Sequence, residues 1–239
     1  MAELKYKRIL LKLSGESFCN PGGFGIEGEP LDSIAERIAK ICKLGPEVAV
    51  VVGGGNFLRG EAFSKKSNIP RNTADYMGML ATIINACALQ ETLEKKGQVT
   101  RVLSPIEVSA ICEPFIRRRS LRHLEQGRVV ILAGGTGNPF FSTDTCAALR
   151  AAELDVELII KATKVDGVYS DDPLTNPKAQ LIEAITYKEV LNQGLKVIDP
   201  AAISLCSENN IPVVVLNIFK EGNITKTLYG ERIGTLISQ

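Results

Sequence analysis

Short, continuous apolar runs alternate along the chain with longer segments of helical period. RILLKL (8–13), VAVVV (48–52), VTRVLS (99–104), RVVILA (128–133), ELIIKAT (157–163) and PVVVLNI (212–218) are rich in Val, Ile and Leu. Such runs mark strands covered on both faces. Between them, LDSIAERIAKICKL (31–44), TADYMGMLATIINACALQETLEKKG (73–97), FIRRRSLRHLEQG (115–127), TDTCAALRAAELD (143–155), YKEVLNQG (187–194) and DPAAISLCSENN (199–210) predict helices. Thr73 as N-cap and Gly97 as C-cap bound the longest of these. NITKTLYGERIGTLIS (223–238) predicts a short helix and an edge strand. The alternation implies an α/β fold: a three-layer αβα sandwich around a mostly parallel central sheet, in a single domain over 1–239. No low-complexity linker or internal repeat interrupts it.

Glycines follow three of the strands, at 15, 53–55 and 134–137. Ligands of open α/β sheets bind beyond the carboxyl ends of strands, so these loops are expected to converge on one crevice. Composition narrows the partners. The chain has 239 residues, 45% hydrophobic, with a net charge of +1, which lacks the basic excess of a general nucleic-acid binder. No apolar run approaches the ~18–20 residues of a membrane span. MAELKYKRILLKLSGE has no apolar core or cleavage site of a signal peptide, so the expected location is cytoplasmic. Cys19, Cys42, Cys87, Cys112, Cys146 and Cys206 are widely spaced without a CxxC pair, as buried free thiols are. The lone histidine, His123, lies in RRRSLRHLEQG, which reads as an exposed, solvated helix. It supports neither a His-rich metal site nor a Ser-His-Asp triad, and metal ligands stay unassigned.

Gly23, Gly25 and Gly28 match GxGxxG but follow no strand directly, and there is no GxxxxGK[ST]. KLSGE (12–16) places Lys12 near a strand end, with Ser14 and Gly15 opening the next loop. An ammonium beside glycine-freed backbone N–H groups suits phosphoryl oxygens; a solvated strand-end lysine is the plain alternative. GGGNFLRG (53–60) adds three glycines for close backbone approach, with Asn56 and Arg59 behind them. Asp75 complements a helix N-terminus or accepts from a pair of ribose hydroxyls. GGTGNPFFSTD (134–144) surrounds Phe140 and Phe141 with Thr136, Asn138, Ser142 and Thr143, then sets Asp144 near a helix start, where it holds a lysine or faces a metal. KATKVDGVYSDDP (161–173) offers Lys161, Thr163, Tyr169 and Asp172 from one loop, about half of it explained by turn chemistry.

Together, KLSGE, GGFGI, GGGN, DYMGMLAT, GGTGNPFFSTD, KATKVDGVY and VIDPAAISLC resemble the bacterial-type uridylate kinases of the amino acid kinase superfamily, in order and over nearly the whole chain. The resemblance implies phosphoryl transfer from MgATP to UMP, giving ADP and UDP for pyrimidine nucleotide (CTP) synthesis, with Mg²⁺ entering as MgATP. It implies catalytic roles for Lys12, Arg59 and Asp144. ATP would lie on Lys12, Leu13, Ser14, Gly15, Gly55 and Arg59, with its adenosine at Thr163, Tyr169 and Asp172. UMP would lie on Gly54 and Asp75 and on Thr136, Gly137, Asn138, Pro139, Phe140, Phe141, Ser142 and Thr143. The loop Asn20, Pro21, Gly22, Gly23, Phe24 and Gly25 matches where such enzymes respond to GTP as activator. The family further implies inhibition by UTP and a homohexamer, with no nucleic-acid or membrane partner. Ser142 replaces a frequent threonine and keeps the hydroxyl; Phe57-Leu58 replaces an aliphatic residue followed by Phe. A same-fold kinase for a carboxylate or carbamate, and a non-catalytic nucleotide sensor, are the competing readings.

Overall fold

The computed structural model describes residues 3–171, 176, 178–195 and 197–239. In chain order the elements are β1 (Arg8–Leu13), α1 (Gly28–Cys42), β2 (Glu47–Val52), α2 (Gly60–Lys66), α3 (Arg71–Lys95), β3 (Thr100–Ser104), β4 (Glu113–Pro114), α4 (Arg117–Glu125) and β5 (Val129–Leu132). There follow α5 (Thr143–Glu153), β6 (Leu158–Thr163), β7 (Val168–Tyr169), β8 (Leu181–Ile182), β9 (Ala184–Thr186), α6 (Tyr187–Asn192), α7 (Pro200–Glu208), β10 (Val213–Asn217), α8 (Asn223–Leu228) and β11 (Thr235–Ser238). Among the described residues nine strands form one sheet in the order β4-β3-β5-β2-β1-β6-β10-β11-β9. The β10–β11 pair is antiparallel and the other described pairs of this sheet are parallel.

Period-two alternation splits the core into two layers. Ile9, Leu11 and Leu13 of β1 pack with α1, α3 and α8, whereas Leu10 faces α4, α5, α6 and α7. Strand order turns around at β1: β2, β5 and β3 lie to one side, β6 and β10 to the other. The crevice at such a reversal is where an α/β sheet takes its ligand, and all three glycine loops open there.

Several sequence expectations need correction. Helix α3 begins at Arg71 behind Pro70, so Thr73 lies inside its first turn and is not the cap; Pro fits a helix start because no N–H is needed there. Gly97 does end the helix, in the left-handed region at φ +82° just beyond Lys96. Strand β11 is not an edge; it lies between β10 and β9. Helix α2 was invisible to periodicity because it buries no side chain. His123 is buried rather than exposed, sharing the inner face of α4 with Ser120 and Leu124. Its Nε2 lies 3.3 Å from Glu113 and its Nδ1 3.0 Å from Arg128. The arginines 117, 118, 119 and 122 are exposed, as expected. All six cysteines are free thiols, but Cys42 and Cys87 are half-buried rather than buried; burial pushes Cys206 up to about 12 and Cys146 up to about 11. Among the described residues no helix is long and apolar enough to cross a membrane.

Candidate active site

The site begins with strand parity. Lys12 falls on the same face of β1 as Leu10, and Lys161 on the same face of β6 as Ile159. In the parallel register Lys12 stands directly opposite Lys161. Two ammonium groups are thereby brought side by side at the carboxyl end of the sheet, only 11% and 17% exposed. Their repulsion is met by Asp144, from the first turn of α5. Its Oδ1 lies 2.6 Å from Lys12 Nζ and its Oδ2 2.6 Å from Lys161 Nζ. Lys161 also donates to the Val197 carbonyl.

Local sequence fixes that carboxylate. Ser142 caps α5, its Oγ accepting from the backbone N–H of Asp144 at 3.0 Å and Thr145 at 3.1 Å. Asp199 caps α7 through Ala202 N and receives hydrogen bonds from the Ser142 and Thr145 hydroxyls, so both helix starts are locked together. Burial acts to raise the Asp144 carboxyl, but the charges of Lys12 and Lys161 outweigh it and hold it below the ordinary range. Burial lowers the Lys161 ammonium; Asp144 opposes the shift, and the Lys12 charge adds to it. The cluster is an ionised carboxylate between two ammoniums, and Lys12 is the member that lines the crevice.

The second wall is the loop after β2. A Cβ on Gly54 would stand 2.7 Å from the Gly78 carbonyl oxygen of α3, so only glycine lets the loop lie this close to the helix. Arg59 sits at the rim, its side chain 65% exposed and paired with Glu16. It is an entrance cation, not part of the buried cluster.

The third wall is the loop after β5. Gly134 adopts φ +69°, and a Cβ there would meet Ser104 Oγ at 2.5 Å. Phe140 also takes a left-handed φ of +70°, a conformation that costs a non-glycine residue about 1–3 kcal/mol and persists only where surroundings enforce it. Here the enforcing group is Asp75, whose Oδ2 accepts from Phe140 N at 2.9 Å while Arg71 Nε donates to both carboxylate oxygens at 2.8 and 2.9 Å. Asp75 is therefore more than a helix-dipole complement: it pins the loop. Thr136 and Asn138 hydrogen-bond to one another.

These walls enclose a crevice of about 340 Å³ that brings together Lys12, Ser14, Gly15, Gly54, Gly55, Arg59, Asp75, Phe141, Ser142 and Thr143. The Leu13 side chain is fully buried in the core, leaving only its backbone for a nucleotide. Thr163 lies outside this crevice, its hydroxyl directed at the Val165 and Leu216 carbonyls. Tyr169 sits in the separate two-stranded β7–β8 ribbon, and Asp172 lies outside the described residues. The loop Asn20–Gly25 does not line the crevice; its Gly25 is bonded to Asn56 behind the glycine loop, and its Phe24 is 76% exposed against the Phe57 edge.

Lys161, to which the resemblance gives no role, belongs to β6 and completes the buried cluster. The signal was present: RILLKL and ELIIKAT each break an apolar run with a lysine, and the parallel register makes them neighbours. A resident divalent metal does not fit these groups. Both Asp144 oxygens face ammoniums, and the described residues contain no cluster of three or more His, Cys, Asp or Glu suited to a metal.

The amino acid kinase family model matches residues 7–217. Among relatives, the uridylate kinase PUMPKIN, chloroplastic, of Arabidopsis thaliana is 53% identical over 234 residues, spanning 98% of this chain and 69% of that protein. Among solved structures, UMP kinase from Bacillus anthracis superposes with a TM-score of 0.94 at 39% identity, covering 98% of this chain and 96% of the other. UMP kinase from Ureaplasma parvum gives 0.90 at 40% identity, covering 99% and 100%. Uridylate kinase from Archaeoglobus fulgidus gives 0.72 at 27% identity, covering 96% and 99%.

Proposed function

The chain belongs to the amino acid kinase family, and from that premise we propose that it is a UMP kinase, moving the γ-phosphoryl group of MgATP to UMP. One observation carries the reading. A buried Lys12–Asp144–Lys161 cluster closes one end of a crevice whose far wall is a loop pinned by Asp75. Phosphoryl transfer asks for positioning and charge stabilisation rather than covalent chemistry from the protein. A UMP phosphate oxygen, anionic near neutral pH, attacks the γ-phosphorus while the bond to the ADP oxygen breaks. No general base is required. Asp144 is unsuited to be one, being held ionised with an ammonium on each oxygen. Lys12 and Lys161 neutralise charge that builds on the phosphoryl oxygens, and Arg59 closes over them from the rim. Mg²⁺ arrives on the ATP phosphates as part of the substrate.

UMP is assigned to Gly54, Asp75 and the 136–143 loop, and the ATP phosphates to Lys12, Ser14, Gly15 and Gly55. Its adenosine is assigned to the β6 end, at Thr163, Tyr169 and Asp172. The Asn20–Gly25 loop is the assigned GTP-responsive element, supported by the two hydrogen bonds that join Gly25 to Asn56. UTP shares the uracil and ribose of UMP and is assigned as an inhibitor at the acceptor side. Assembly into a homohexamer is supported by Met77, Leu80 and Ile84, a 36–50% exposed apolar stripe on α3. A reducing compartment such as the cytoplasm suits six free thiols; the chloroplastic designation is that of the relative.

The test is ADP release with MgATP against UMP, CMP, dUMP, AMP, acetylglutamate and carbamate in parallel. UMP is expected to be turned over well above the others. Turnover with a carboxylate or carbamate alone would refute the pocket assignment, and UMP binding without turnover would make the protein a sensor.

A further inference from the structure

Helix α3 presents three polar side chains to the sheet. At 100° per residue, Asp75, Thr82 and Asn85 fall within an arc of about 80°, opposite the exposed Met77, Leu80 and Ile84. Each of the three reaches a different part of the crevice wall. Asp75 holds Phe140 N of the acceptor loop. Thr82 Oγ1 accepts from Gly134 N at 2.7 Å and donates to Met79 O at 2.6 Å, so both its hydrogen-bonding roles are filled by protein. Asn85, with no exposed surface, donates from Nδ2 to Gly53 O and to Asn56 Oδ1, each at 2.7 Å. Asn56 returns the bond, its Nδ2 reaching Asn85 Oδ1 at 2.9 Å and Gly25 O at 2.7 Å.

A buried carboxamide is unfavourable unless all its groups are bonded, and apolar side chains of similar size would fill the same space without that demand. Two such amides closed on each other are a device for fixing geometry. We propose that Thr82 and Asn85 are positioning residues that make α3 a rigid spacer between the two nucleotide cradles. Asn85 sets the 53–55 glycine loop, whose Gly55 is assigned to the donor phosphates, and Thr82 sets the 134–143 loop that faces the acceptor. The distance between them is that between two turns of one helix. In-line transfer depends on this separation, since a misplacement of about 1 Å costs on the order of 10²-fold in rate. The inference rests on the UMP kinase reading.

The test is steady-state kinetics on Thr82→Val, Thr82→Ser and Asn85→Ala, with each nucleotide varied in turn while the other is saturating. Thr92→Val serves as control, because its hydroxyl bonds Ala88 O on the same helix away from the crevice. Wild-type turnover of UMP tests the functional reading; the variant ratios test the spacer. Thr82→Val and Asn85→Ala are expected to lower kcat about 10- to 100-fold with KM for either nucleotide moving less than about threefold. Thr82→Ser is expected to restore kcat to within about twofold, and Thr92→Val to leave it unchanged. Hydrogen exchange at the Gly134 and Phe140 amides in Thr82→Val gives a readout free of catalysis, with faster exchange expected at both. Should Asn85→Ala fail to fold, Thr82→Val decides. Folded Thr82→Val with wild-type kcat, or with unchanged exchange at those amides, would overturn the proposal.

Discussion

Asp144→Asn is expected to lower kcat by about 10²–10³-fold and to destabilise the fold by about 3–5 kcal/mol. The substitution keeps shape and removes charge, leaving the Lys12 and Lys161 ammoniums facing each other in a largely buried site without their anion. Part of the penalty is relieved by pH. Lys161 already holds its proton less tightly than an ordinary lysine at 10.5, because of burial and the Lys12 charge, and losing Asp144 depresses it further. A lysine depressed in the folded state binds fewer protons there than in the unfolded chain, so stability rises with pH across that window. The deficit of Asp144→Asn is therefore largest at neutral pH and narrows as pH approaches 10.5. Chemical denaturation of both proteins at pH 7 and pH 9.5 checks it. A deficit that grew with pH would mean that the carboxylate does not serve the two lysines.

Lys12→Ala is expected to cost less stability than Asp144→Asn while matching its loss of rate. Removing Lys12 breaks its own pair with Asp144, but it also takes away a like charge beside Lys161 and leaves the carboxylate its Lys161 partner at 2.6 Å. The loss of folding stability should therefore stay below the ~3–5 kcal/mol expected of Asp144→Asn, which leaves two buried ammoniums without any anion. Turnover should nonetheless fall by about 10²–10³-fold, the usual effect of deleting one donor aimed at developing charge. The two variants thus separate catalysis from stability inside one cluster. Near-normal kcat in Lys12→Ala, measured well below its melting temperature, would remove Lys12 from the chemistry.

What the sequence revealed, and what it hid, follows from the range of each interaction. The parallel strands were legible because burial on both faces leaves an unbroken apolar run, as in VVVGGG, where the glycines then mark the exit. Asp144 was legible because a helix start and its cap lie within three residues. The partners that complete the site are non-local. Asp144 meets Lys161 from 17 residues away, Gly134 meets Thr82 from 52, and Ser142 meets Asp199 from 57. No single strand or helix segment of the sequence contains such a pair. Register explains Lys161: only when β6 pairs with β1 does its lysine become the neighbour of Lys12. The burial of His123 is hidden in the sequence because the charge density along α4 conceals the one face formed by Ser120, His123 and Leu124. In α3 the low amphipathic contrast had the reverse meaning. Apolar residues lie on both sides of the helix because one side meets the core and the other is an exposed stripe.

The central claim is that this crevice joins the γ-phosphorus of ATP to an oxygen of the UMP phosphate. Single-turnover transfer with ATP labelled in its γ-phosphate tests it most directly. Excess enzyme, Mg²⁺ and unlabelled UMP are mixed with the labelled ATP, and the nucleotides are separated chromatographically. The account predicts that the label leaves ATP and appears in UDP, with the same transfer strongly slowed in Lys12→Ala. Label recovered as inorganic phosphate at the same rate with or without UMP, and none in UDP, would contradict it.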